Sequence, residues 1–240
     1  MIVVHDGPSL LLVTQNDHAH FSGELLSLWR ADGLPGHPRR DDIVFAAREH
    51  DNGWREADSA PRVDRSSGEP HGFLSLPAPD RIEIWRRGIR RYREQRPYAA
   101  LLIHQHALAL HASFGAGDEY AELLEEVRAS RDQLLEATGI SESALLDDYP
   151  WIQLTDALSL VACRCFDGDR ERAGRRFWRE NGDLVIHPLP LAGATRFRIP
   201  CRRIEPRRYT RDVDLATDLA RARWDTIEVR VRGAWSLPKP

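Results

Sequence analysis

The stretch DDIVFAAREHDNGW, residues 41–54, decides how this chain is read. Its apolar positions Ile43, Ala46, Ala47 and Trp54 share one side of a 3.6-residue period. That spacing predicts a helix from about Asp41 to Asp51, stopped by Gly53. His50 lies on the same stripe, three and four residues beyond the two alanines. A histidine followed by an aspartate on the inward face of a helix offers one cation a nitrogen and an anionic oxygen. Taken alone, the pair reads more simply as a histidine favoured by the dipole at a helix C-terminus.

Toward the N-terminus, residues 2–5 and 10–14 are β-rich and joined by Asp-Gly-Pro-Ser, which predicts a hairpin. A helix from about Asp17 to Ala31 follows, with Asn16 or Asp17 as its N-cap and Gly33 beyond its end. Its inward stripe is Phe21, Leu25 and Trp29. His18 continues that stripe, whereas His20 falls with Glu24 and Ser27 on the polar side. His18 is therefore the better ligand candidate and His20 a surface histidine; the competing role for His18 is a hydrogen-bonded core residue.

Toward the C-terminus, residues 54–80 form a long Pro-, Gly- and Ser-rich connection of the kind that covers sites. Helices are predicted at 81–94, 98–114 and 119–137, and a sixth from Pro150 to about Cys165. In WIQLTDALSLVAC, residues 151–163, the single charge is Asp156, in phase with Ile152, Ser159, Leu160 and Cys163. A buried carboxylate is costly unless it is paired or binds a metal, and an arginine partner is the alternative. In LLIHQHALALH, residues 101–111, His104 and His111 share one face and His106 takes the other, so the three cannot all serve one site. After a charged run at 167–176, strands are expected at 184–186, 196–199 and 226–231, with a short helix near 215–222.

The expectation is a mainly α fold. Residues 1–166 would form a helical metal-binding core with the N-terminal hairpin, and residues 167–240 a β-rich extension packed on it. Together the hairpin and the extension would supply a small antiparallel β element.

The 240 residues carry 34 basic and 37 acidic side chains, so no basic excess points to nucleic acid. Lys239 is the sole lysine, which removes internal Schiff-base chemistry and a Gly-Lys-Ser/Thr phosphate loop. Cys163, Cys165 and Cys201 lack a CxxC pair and read as reduced thiols, consistent with a cytoplasmic protein. The opening MIVVHDGPSLLLV has neither a basic segment nor a long apolar run, so no signal peptide and no membrane span is expected.

The order of these features is a helix histidine, a His-Asp pair, further helix histidines, then a late aspartate before Ala-Leu-Ser. It resembles the HD superfamily of metal-dependent phosphohydrolases, named for its His-Asp pair. QNDHAHFSGELLSLW, AAREHDNGW and QLTDALSL look like segments of an uncharacterised bacterial family within or near it, a domain of unknown function. The resemblance covers about residues 1–165 and implies an HD-type helical bundle. It also implies His18, His50, Asp51 and Asp156 as ligands of a divalent metal (Mn, Fe, Zn, Ni or Mg), one or two ions per chain. His106 and His111 would serve a second ion or the substrate, with Asp51 and His106 in catalytic roles. Arg48, Arg55 and Trp54 would face a nucleotide or another small phosphorylated molecule. The implied activity is phosphoester hydrolysis by metal-activated water; a homo-oligomer is allowed. The sequence lacks the basic pair that some nucleotide-cleaving members carry beside His-Asp. An HD-type di-iron oxygenase and a non-catalytic, metal-stabilised nucleotide sensor are the alternatives.

Overall fold

Strand β2 (Ser9–Val13) is apolar at four successive positions, where a half-buried strand would alternate. Both of its faces are covered: Leu11 and Val13 enter the main core, while Leu10 and Leu12 join a second cluster with Ile204, Leu215 and Leu219. β1 (Ile2–Asp6) pairs with it antiparallel across a turn at Gly7, whose φ of +60° suits a residue without a side chain. The computed structural model describes residues 1–114 and 117–234, so Lys239 lies outside the described residues.

Helix α1 (Gln15–Ser27) begins at Thr14, whose hydroxyl accepts from the Asp17 backbone N–H at 2.9 Å. The N-cap is thus Thr14, and not the expected Asn16 or Asp17. α2 spans Arg40–Glu49, α4 Ala78–Arg90, α5 Pro97–Phe114 and α6 Ala121–Thr138. The connection after Trp54 is less bare than its composition suggests: it contains α3 (Arg55–Ser59) and a bridge between Val63 and Pro70. α7 (Glu142–Ala162) starts well before Pro150, capped by Ser141 through the Ala144 N–H. Pro150 sits inside it, against the expectation that proline opens the helix, and Leu146 one turn earlier is exposed.

The C-terminal part adds β3 (Arg170–Arg172), β4 (Arg175–Glu180), β5 (Asp183–His187), β6 (Thr195–Ile204), α8 (Asp212–Arg221) and β7 (Trp224–Arg232). All seven strands join one sheet in the order β1-β2-β6-β7-β5-β4-β3, antiparallel throughout except between β5 and β7. Phe197, Ile199, Val229 and Val231 from this sheet share a core with Phe21, Leu25, Leu101, Leu158 and Val161 from the helices. α8 covers the opposite face of the hairpin end.

The mainly α, HD-type bundle with a small antiparallel β element is therefore corrected: this is an α/β fold with a large mixed sheet. The missing strands β3 and β4 lie in RERAGRRFWRE, which reads as a charged run. Arg175 is buried there because its guanidinium pairs with Asp32 and stacks over the Trp29 ring, partners that only the folded chain supplies. Among the described residues, no helix is long and apolar enough to cross a membrane.

Candidate metal centre

Two glycines allow close packing around the His50-Asp51 pair. A Cβ on Gly23 would come within 2.5 Å of the Arg48 Cβ, so its absence lets α1 lie close to α2. A Cβ on Gly53 would lie 2.1 Å from the Ile84 carbonyl, so glycine lets the turn after His50-Asp51 rest on α4. His50 is the C-cap of α2 and Asp51 leads into the 3-10 turn Asn52–Trp54.

His18, His50 and Asp51 offer three ligand atoms within 4.8 Å of one another, and so do His50, His106 and Asp156. His50 is common to both sets. His18 Nε2 is 2.9 Å from Asp51 Oδ2, and His50 Nε2 is 3.8 Å from the same oxygen. On the other side, His50 Nε2 is 3.5 Å from Asp156 Oδ1, and His106 Nε2 is 4.0 Å from Asp156 Oδ2. Ligands about 2.0–2.2 Å from one ion stand roughly 3 Å apart at a right angle and roughly 4 Å apart across it. The separations fall in that range. His18, His50, His106 and Asp51 are buried, and Asp156 is the most open of the five, its side chain 14% exposed.

Second partners fix the rings. His50 Nδ1 donates to the Ala47 carbonyl at 2.8 Å, so Nε2 is the nitrogen left for a cation, with a lone pair to give once its proton is lost. Ser159 Oγ gives its hydrogen to the Asp156 carbonyl at 2.7 Å, so it accepts from His18 Nδ1 at 2.8 Å. His18 Nε2 is left to face Asp51 Oδ2, donating to it when protonated and offering a lone pair to a cation when not. His106 Nδ1 lies 3.1 Å from the Tyr149 hydroxyl. The Nε2 atoms of His50 and His106 are buried and have no hydrogen-bond partner.

The electrostatics match this crowding. Burial pushes the His50 ring toward neutrality, but the Asp51 and Asp156 carboxylates outweigh it and carry its pKa up to about 9. Burial also opposes the charge on both carboxylates. His50 and His18 still hold Asp51 below the usual range, and the closeness and charge of His50 hold Asp156 well below it. Burial, helped by the His50 charge, brings His106 down to about 4. Asp156 has only His50 and His106 as ion partners among the described residues, so the arginine alternative for it is not realised.

The other candidates lie elsewhere. His111 Nδ1 bonds to the Ala107 carbonyl at 2.7 Å, and the ring packs on Trp85 and Tyr120, outside both ligand sets. His20 sits beside Asn16 and Glu49. His104 is fully satisfied by the Ala100 carbonyl at 2.7 Å and Ser130 Oγ at 2.8 Å. Arg48 is exposed, and Arg55 is engaged with Asn16 at 2.8 Å and Glu49 at 2.6 Å. Trp54 is buried against Leu76 and Ile84 rather than walling the cluster. Two residues that the sequence did not single out join the site: Tyr149, two turns before Asp156, and Gln15, three residues before His18. Both spacings are helical, but a glutamine and a tyrosine carry no ligand signature.

No curated protein and no solved structure matches this chain. The family described as "Protein of unknown function (DUF3891)" matches residues 1–206, a span that includes every residue of the cluster, and the chain belongs to that family.

Proposed function

We propose that this protein holds one divalent transition-metal ion in the cluster and uses it to hydrolyse a phosphoester of a nucleotide or another small phosphorylated molecule. The observation that carries the reading is the pair of buried, unpartnered imidazole nitrogens, His50 Nε2 and His106 Nε2, beside two buried carboxylates. Each unsatisfied buried polar atom costs about 1–3 kcal/mol, and two buried carboxylates that share the charge of His50 add to that. A cation removes both costs at once. His50 has one lone pair to give, because its Nδ1 hydrogen is spent on Ala47, and one lone pair serves one ion. That favours a single ion over a pair of irons.

His18, His50, Asp51 and Asp156 would hold the ion, in the ligand order of the HD superfamily, with His106 beside them. Such an ion lowers the pKa of a coordinated water and polarises a phosphoryl oxygen. The chain's own groups do the rest. Ser159, the Ala47 carbonyl and Tyr149 keep the three imidazoles in fixed orientations. His106, kept neutral at pH 7 by burial, keeps the Nε2 lone pair free for the ion. Asp156 marks the side from which a substrate would enter.

Elemental analysis of protein purified without chelator should find about one Mn, Fe, Zn or similar ion per chain. A panel of nucleotides and phosphomonoesters with added Mn should then reveal turnover that His50→Ala and Asp51→Ala both abolish. Protein that arrives metal-free and takes up none of these ions overturns the reading.

A further inference from the structure

Gln15 is the first residue of α1 and is 2% exposed. Its spacing puts it on the His18 face of the helix. Its Nε2 lies 3.2 Å from Asp51 Oδ2, the oxygen that His18 Nε2 also approaches. An ionised carboxylate only accepts, so the amide nitrogen must be the end that faces it, and Oε1 points elsewhere. The Gln15 backbone N–H donates to Asp58 Oδ2 at 2.6 Å, which anchors the residue. Oε1 is buried and has no partner.

Amide oxygen and nitrogen are about 2.2 Å apart, so Oε1 stays within roughly 5.4 Å of Asp51 Oδ2, an oxygen of the cluster. The Nδ1 hydrogens of His18 and His50 are already committed, to Ser159 and to the Ala47 carbonyl. A buried carbonyl oxygen wants a donor, and at a metal centre a coordinated water supplies one.

We propose that Gln15 is a positioning residue of this centre, donating through Nε2 to Asp51 and accepting through Oε1 a hydrogen bond from water on the metal ion. This rests on the metal reading above. Gln15 thereby selects what occupies the open coordination position: a ligand that brings a hydrogen is favoured, and an anion that brings only lone pairs is opposed.

The test is azide binding to cobalt-loaded protein, followed through the visible absorption of the cobalt. Azide has no hydrogen to give. Gln15→Met removes the opposing oxygen and should bind azide about fivefold more tightly than the wild type, the equivalent of one hydrogen-bond preference. Gln15→Glu keeps an oxygen there and adds charge, and should bind azide more weakly than the wild type. A purely structural role for Gln15 gives no such opposite pair of shifts. Unchanged or weaker azide binding by cobalt-loaded Gln15→Met overturns the role of Gln15 while leaving the metal centre standing. If Gln15→Met does not fold, Gln15→Glu decides alone, and azide binding as tight as in the wild type overturns the proposal. Wild-type protein that takes up no cobalt overturns the centre itself and this proposal with it.

Discussion

Helix α5 carries two buried histidines two residues apart, and the two sides of the helix treat them differently. His104 spends both ring nitrogens, on the Ala100 carbonyl and on Ser130. His106 spends one near Tyr149 and leaves Nε2 bare opposite Asp156. Burial drives both pKa values down to about 4, so titration does not tell them apart. The lone pair does. A buried histidine with every hydrogen bond made is part of the scaffold, and one with a nitrogen left over beside a carboxylate is equipped to bind something.

The largest effect expected from this contrast is on the stability gained with metal. At a thousandfold excess over its dissociation constant, a bound ion should stabilise the wild type by about 4 kcal/mol. Asp156→Asn should lose most of that gain, read as denaturant unfolding with Mn and with chelator. His104→Leu should keep it. Equal stabilisation of Asp156→Asn and wild type would remove Asp156 from the ligand set.

Next comes acid sensitivity. His104 titrates at about 4 in the folded chain against an ordinary 6.5, so the unfolded state takes up its proton first as the pH falls. The stability that His104 contributes is present above pH 6.5 and is lost on the way down to about pH 4. At about 1.4 kcal/mol per pH unit over about 2.5 pH units, that loss is about 3–4 kcal/mol. Unfolding curves across this range should flatten by that amount in His104→Leu. A slope identical to the wild type would mean that His104 is not held neutral by the fold.

Two partner substitutions give the smallest effects and separate the two sides most cleanly. Ser130→Ala strands His104 Nε2 and should cost about 1–2 kcal/mol of stability, with metal affinity unchanged. Tyr149→Phe frees the His106 ring from its hydroxyl and should weaken metal binding by about tenfold, with little loss of stability in chelator. Calorimetric metal titration and chelator-state unfolding of both variants check the pair. Exchanged outcomes would reverse the roles assigned to His104 and His106.

Helix phase is a local property, and the sequence alone carried it. The apolar stripes in α1 and α2 put His18 and His50 inward, and the lone charge in 151–163 singled out Asp156. The same phase separated His106 from His104 and His111 without saying which side held the site. That choice depended on where α7 and the end of α2 pack, because Asp156 and His50 reach His106 only across helices. Gln15 gained its meaning only from the nearness of Asp51, a residue 36 positions away in the chain. The sheet was hidden for the same reason. β2 looks like an apolar run because α8 covers its second face, and β4 looks like a charged loop because Asp32 and Trp29 are what take up Arg175. Periodicity within one element is written in neighbouring residues, whereas the partner that satisfies a buried charge, or fails to satisfy a buried nitrogen, exists only once distant segments have met.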